Sequence, residues 1–163
     1  MALRTEAFYR TIATDTLERM GVFEPPVPIE DVAAHLGVPV RMLTLPSFFG
    51  GSIVYEDGLP VVLLNSARDE GVRRRSLAHL VGHVLLVLSD AEGYPRDTAS
   101  EHTSADAVAR ELMMPNFMVL DQARKWFNDY RYLARLFGVA ENEMMDKMLE
   151  MGIIQQRGIH WEY

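Results

Sequence analysis

Apolar positions along the chain change their spacing several times, and each change predicts a different kind of element. From about residue 3 to Met20, Phe8, Ile12, Leu17 and Met20 fall near one side of a helical repeat, with polar residues on the other. Glu24-Pro25-Pro26-Val27-Pro28 cannot continue that helix, because proline lacks the amide N–H and restricts the residue before it. Ile29, Val32, Ala33 and Leu36 then return to helical spacing, and Gly37 stands where a left-handed cap is wanted.

From Val38 the period shortens towards two. Residues 38–45, 51–55 and 60–64 read as strands, the last two joined by the turn-forming Glu56-Asp57-Gly58. The expectation is a small three-stranded antiparallel sheet. Ser66 and Asp69 are placed to start a helix running to about Leu88, and its second half, from Leu77, is apolar on all sides, as in a helix buried at a domain centre. A loop over 89–99 with Gly93 and Pro95 leads to a helix from about Ser100 to Met113, with Ala105, Val108, Ala109 and Leu112 as its apolar stripe and Met114-Pro115 as its break. Two or three short helices fill 117–154, one near Tyr132–Phe137 and one over Glu141–Met151. The result is an α+β chain, mostly helical: one domain over 1–163, with a helical N-terminus (1–22), a sheet with the central helices (28–115) and C-terminal helices (117–155).

Composition narrows the functions open to such a domain. A net charge of −7 disfavours a direct nucleic-acid binder, which needs a cationic face for phosphates. The helix-Gly-helix stretch from Leu133 to Leu149 has a DNA-reading look, but it carries Glu141, Glu143 and Asp146 where phosphates would approach. Residues 1–20 contain charges throughout and no signal-like apolar core, and no apolar run is long enough to span a bilayer. With no cysteine in the chain, disulfides and thiolate sites are excluded and a metal has to sit on His, Asp or Glu. These points fit a cytoplasmic protein with protein or small-molecule partners.

The candidate chemistry is H-L-V-G-H, which places His79 and His83 four residues apart on one helix face. Zinc sites use this spacing, and so by coincidence do many structural histidine pairs. In H-E-x-x-H the glutamate polarises a zinc-bound water; here that position is Leu80, which can neither accept a proton nor hold a water. Arg73-Arg74-Arg75 reads as a solvated run or a partner contact. Met113-Met114 and Met144-Met145-Met148-Met151 read as core at helical spacing, or as an adaptable binding face. His160-Trp161 supports no assignment.

Taken together, Pro28-Ile29-Glu30, the strand ending in Asn65, the basic run before S-L-A-H, A-D-A-V-A-R-E-L-M-M-P from Ala105 to Pro115, and L-A-R-L-F-G-V through M-G-I-I resemble the ImmA/IrrE family. The resemblance covers roughly Pro26–Ile154. It implies a zincin-like, mostly helical fold with a small sheet, a zinc held by two His and a Glu, and cleavage of helix-turn-helix repressors that control mobile-element or damage-response genes. Carried over by position, His79 and His83 match the histidine ligands, the catalytic Glu falls on Leu80, the third-ligand Glu falls on Ser104, and a bulky Phe falls on Arg75. Glu101, one turn before Ser104, is the best substitute ligand, and a solvated carboxylate near a helix N-terminus is the simpler reading of it. Glu111 lies on roughly the same side, with His102 and Asp106 rotated away.

The expectation is a pseudopeptidase, a regulatory protein that binds a partner such as a helix-turn-helix repressor without hydrolysing it. Zinc is expected to be weak or absent, because two histidines alone hold it poorly. The alternative is an active zinc endopeptidase with a substitute carboxylate. Catalytic residues are none on the first reading.

Overall fold

The central apolar helix and the strands that cover it set the architecture. The computed structural model describes residues 6–89 and 99–155; the start of the first helix before Glu6, most of the loop after Ser89, and His160-Trp161 lie outside the described residues. The elements are α1 (Glu6–Met20), α2 (Ile29–His35), β1 (Val40–Leu43), β2 (Gly51–Glu56), β3 (Leu59–Asn65), α3 (Glu70–Ser89), α4 (Ala99–Met113), α5 (Asn116–Lys125), α6 (Tyr130–Phe137) and α7 (Glu141–Glu150). The mostly helical α+β class is as the apolar pattern predicts.

Helix α3 is the structural centre. Asp69 caps its start, accepting a hydrogen bond from the Val72 amide, while residues from Leu77 to Leu86 are buried apart from His79. Its faces meet α1, α2, α4 and the inner side of the sheet, so an all-round apolar surface costs nothing in exposure. Leu17, Val32, Val62, Leu77, Leu112, Met118, Leu133, Phe137, Met144 and Met148 form one continuous core. Truncating any one of these large side chains to Ala is expected to cost ~2–5 kcal/mol. Met113, Met114, Met144 and Met148 are buried, in keeping with the core reading of the methionines.

The sheet departs from the expected all-antiparallel arrangement. Its order is β1-β3-β2: β2 and β3 form the antiparallel hairpin, with Ile53 opposite Val62, but β1 runs parallel to β3, with Val40 opposite Val62. Alternation of apolar residues specifies a strand and its faces, not its direction, so this feature was not readable from spacing. The β1–β2 connection, residues 44–50, passes round the end of β3. Asn65 fills its centre: Oδ1 accepts from the Leu45 and Ala67 amides, and Nδ2 donates to the Pro46 and Phe49 carbonyls. One fully buried amide thereby pairs four backbone groups and pins this otherwise exposed loop to the end of β3.

The arginine run is neither simply solvated nor free. Arg74 donates to the carbonyls of Val27 and Gly138, tying the proline connector to the end of α6, and burial lowers its pKa. Arg73 donates to Arg68 O, and Arg75 pairs with Glu143. These arginines fasten α3 to its surroundings. Among the described residues no helix is long and apolar enough to cross a membrane.

Candidate metal centre

The site is built where α4 crosses α3. At Gly82 the crossing is closer than any side chain permits: a Cβ there would lie 2.5 Å from the Ala105 carbonyl oxygen. The glycine of H-L-V-G-H is thus a packing requirement, and it brings the first turn of α4 over the histidine pair. His79 and His83 leave one face of α3, and His102 reaches them from α4.

Three ring nitrogens converge. His83 Nε2 is 3.1 Å from His79 Nε2, and His102 Nδ1 is 3.2 Å from each of them. A neutral imidazole nitrogen carries either a proton or a lone pair, so in any triangle of three at least one contact sets like against like. Protons alone cannot satisfy this arrangement. A central cation faced by three lone pairs does, and the spacing fits: zinc–nitrogen bonds in tetrahedral geometry separate ligand nitrogens by ~3.3 Å. Asp106, one turn beyond His102, lies 2.6 Å from His79 Nδ1. It holds the Nδ1–H tautomer and turns the Nε2 lone pair towards the other two rings, the outer carboxylate–histidine arrangement usual at metal sites.

The residue brought beside the pair is His102, rather than Ser104 or Glu101. Ser104 Oγ lies 2.9 Å from the Tyr9 hydroxyl, on the side of α4 that faces α1. Glu101 is not among the residues whose donor atoms converge; the metal-capable cluster is His79, His83 and His102. Glu111 is buried elsewhere, accepting from Lys147 Nζ at 2.5 Å and from the Asn116 amide at 2.8 Å. His102 and Asp106 are not rotated away from the site. Taking Ser104 as the inward position displaces the face toward α3 by two residues, and Ser104 in fact faces Tyr9. The apolar stripe itself carried the missed signal, since His102 precedes Ala105 by three positions and Asp106 precedes Ala109 by three, which continues the inner face.

Leu80, in the place of the proton-accepting glutamate, is 9% exposed and packs against the first residue of β2; a Cβ on Gly51 would come 3.2 Å from its Cδ1. A cleft of about 380 Å³ lies over the cluster, lined by Gly51, Ser52, Ile53 and Tyr55 of β2 together with Leu80 and the three histidines. Among the described residues β2 pairs with β3 alone, which leaves its other edge without a strand partner there.

A buried helix carrying two histidines, crossed by a second helix that supplies a third donor and flanked by an edge strand, defines a zincin-like domain. The chain belongs to the IrrE N-terminal-like domain family of peptidases, whose family model matches residues 33–149. Among solved structures it is similar to a Mycobacterium tuberculosis transcriptional regulator at 20% identity and a TM-score of 0.63, over 93% of this chain and 49% of that one. The chain thus spans about half the length of that regulator, and the likeness concerns the fold. No curated protein matches.

Proposed function

We propose that this chain is a non-hydrolysing, metal-binding member of its family that regulates a protein partner by holding it at the cleft between β2 and the histidine cluster. The single observation behind this reading is the pairing of a convergent three-nitrogen cluster with a hydrocarbon, Leu80, at the position of the proton acceptor.

Zinc would be held by His79, His83 and His102, with Asp106 orienting the first of them. A third donor from α4 would hold zinc more tightly than the two histidines alone. When bound, such a cation supplies Lewis acidity to an oxygen or nitrogen entering the cleft. The protein's own residues then do three things: His79 is fixed in one tautomer by Asp106, Leu80 excludes a water from the base position, and the open edge of β2 offers backbone groups to an extended polypeptide. None of them takes a proton from a water. An active endopeptidase with a substitute carboxylate requires an acid aimed at the cluster; among the described residues Asp106 is engaged on the far nitrogen of His79, and Glu101 is not one of the converging donors.

The described elements act as one domain on this reading. The partner is a helix-turn-helix repressor, in keeping with the family resemblance and with a structural neighbour that is a transcriptional regulator; control of mobile-element or damage-response genes then follows from sequestering it, and the lack of cysteine fits a cytoplasmic setting. The test is a paired measurement on the purified chain: zinc titration by calorimetry, and incubation of the zinc-loaded protein with repressors encoded in the native host. One zinc per chain with a retained, uncleaved partner is expected. Zinc-dependent cleavage of that partner overturns the reading.

A further inference from the structure

Beside the cleft, on the other side of His79, a second depression of about 510 Å³ runs between α4 and α7. Its floor is apolar, made by Ala109, Met113 and Met114, with Leu149 on the α7 side. Methionine side chains give such a floor the ability to follow the shape of what sits on it. Its rim is strongly asymmetric in charge: Asp106, Glu143, Asp146 and Glu150 face two arginines, Arg75 and Arg110. Those arginines are already used, pairing with Glu143 and Glu150 respectively. The uncompensated charge is therefore that of Asp106 and Asp146. Asp106 keeps 72% of its side chain exposed even while it orients His79, and Asp146 makes no ion pair or hydrogen bond among the described residues.

We infer that this groove docks a cationic polypeptide segment of the partner, with one large apolar side chain seated on Ala109, Met113 and Met114 and lysines or arginines on either side meeting Asp106 and Asp146. Charge complementarity selects the occupant. An acidic segment meets two unneutralised carboxylates, a second copy of this chain carries a net charge of −7 and is repelled, and nucleic acid is excluded on the same ground. Because His79 borders both depressions, a segment in the groove leads the adjoining chain to the histidine cleft. The inference deepens the proposed regulatory binding by naming the chemistry of the partner, and it does not require the metal.

The experiment uses the full chain and a fluorescein-labelled dodecapeptide with a central leucine flanked by lysines and arginines, followed by fluorescence anisotropy. Saturable binding that weakens as salt is raised is expected, with Asp146→Lys lowering affinity by about fivefold or more, since reversal removes an attraction and adds a repulsion. Two control peptides leave the protein untouched: one with serine for leucine, one with glutamates for the basic residues. Equal binding of either control, unchanged binding to Asp146→Lys, or no binding of the cationic peptide overturns the groove. Zinc uptake measured on the same samples separates the two readings: zinc bound without peptide captured removes the groove alone, and peptide captured without zinc removes the metal centre alone.

Discussion

Replacing His102 by alanine gives the sharpest test of how the site is assembled, because the residue was not expected to belong to it. The three nitrogens already stand 3.1–3.2 Å apart, so little rearrangement is needed to admit a cation and the full donor set contributes to affinity. With zinc at one hundred times Kd, binding to the folded state alone stabilises it by ~2.7 kcal/mol. In a chain of this size that is roughly 5–11 °C in Tm. An outer hydrogen-bonding partner of a metal ligand typically contributes ~10–100-fold in affinity, and a ligand contributes more. At the same zinc concentration His102→Ala should therefore keep less than ~0.4 kcal/mol of the gain, Asp106→Asn between ~0.4 and ~1.4 kcal/mol, and Glu101→Ala all of it. Thermal melts with zinc and with EDTA read the series directly. A full zinc shift in His102→Ala, or its loss in Glu101→Ala, would refute the three-histidine assignment.

Further outcomes follow from the packing. Gly82→Ala forces α3 from the Ala105 carbonyl and should cost at least ~1–3 kcal/mol by urea unfolding, with weaker zinc binding than the wild type; unchanged values in both would show that the helices can separate freely. Lys147→Met leaves the Glu111 carboxylate buried without its cation and should cost ~3–5 kcal/mol, whereas the double change with Glu111→Leu should recover most of that loss, a non-additivity visible in a denaturation cycle. Burial lowers the Lys147 pKa even though Glu111 pulls it up, so desolvation of the cation outweighs the pairing. Ser104→Glu should not raise zinc affinity, because Ser104 faces Tyr9. Leu80→Glu should leave zinc uptake intact while losing ~1–3 kcal/mol for the buried acid; calorimetry and unfolding curves check both.

Most elements were legible because their signals are local. The proline connector, the Gly37 turn, the Glu56-Asp57-Gly58 hairpin and the all-round apolar half of α3 each follow from a few adjacent residues, and the family is carried by short blocks that follow one another along the chain. Strand direction was not legible, since β1 alternates in the same way whether it runs up or down. The histidine pair on α3 was visible as a spacing of four, but its third member depends on which face of α4 meets α3. That choice is made by the contact of Gly82 with Ala105, a relation between residues far apart in sequence. Arg74 illustrates the same limit: a charge in a basic run reads as solvated until the carbonyls of Val27 and Gly138 are brought to it.

The side chain of Asn65 carries one further consequence, for the durability of the protein. Its amide nitrogen is the sole feature that lets one group give two hydrogens to the Pro46 and Phe49 carbonyls while its oxygen receives two more. Slow hydrolysis of that amide to a carboxylate, a common form of chemical ageing, would turn both gifts into repulsions between oxygens. The exposed Phe48–Phe49 tip and Gly51 on the cleft wall would come loose together, while the core on the far side of β3 keeps its packing.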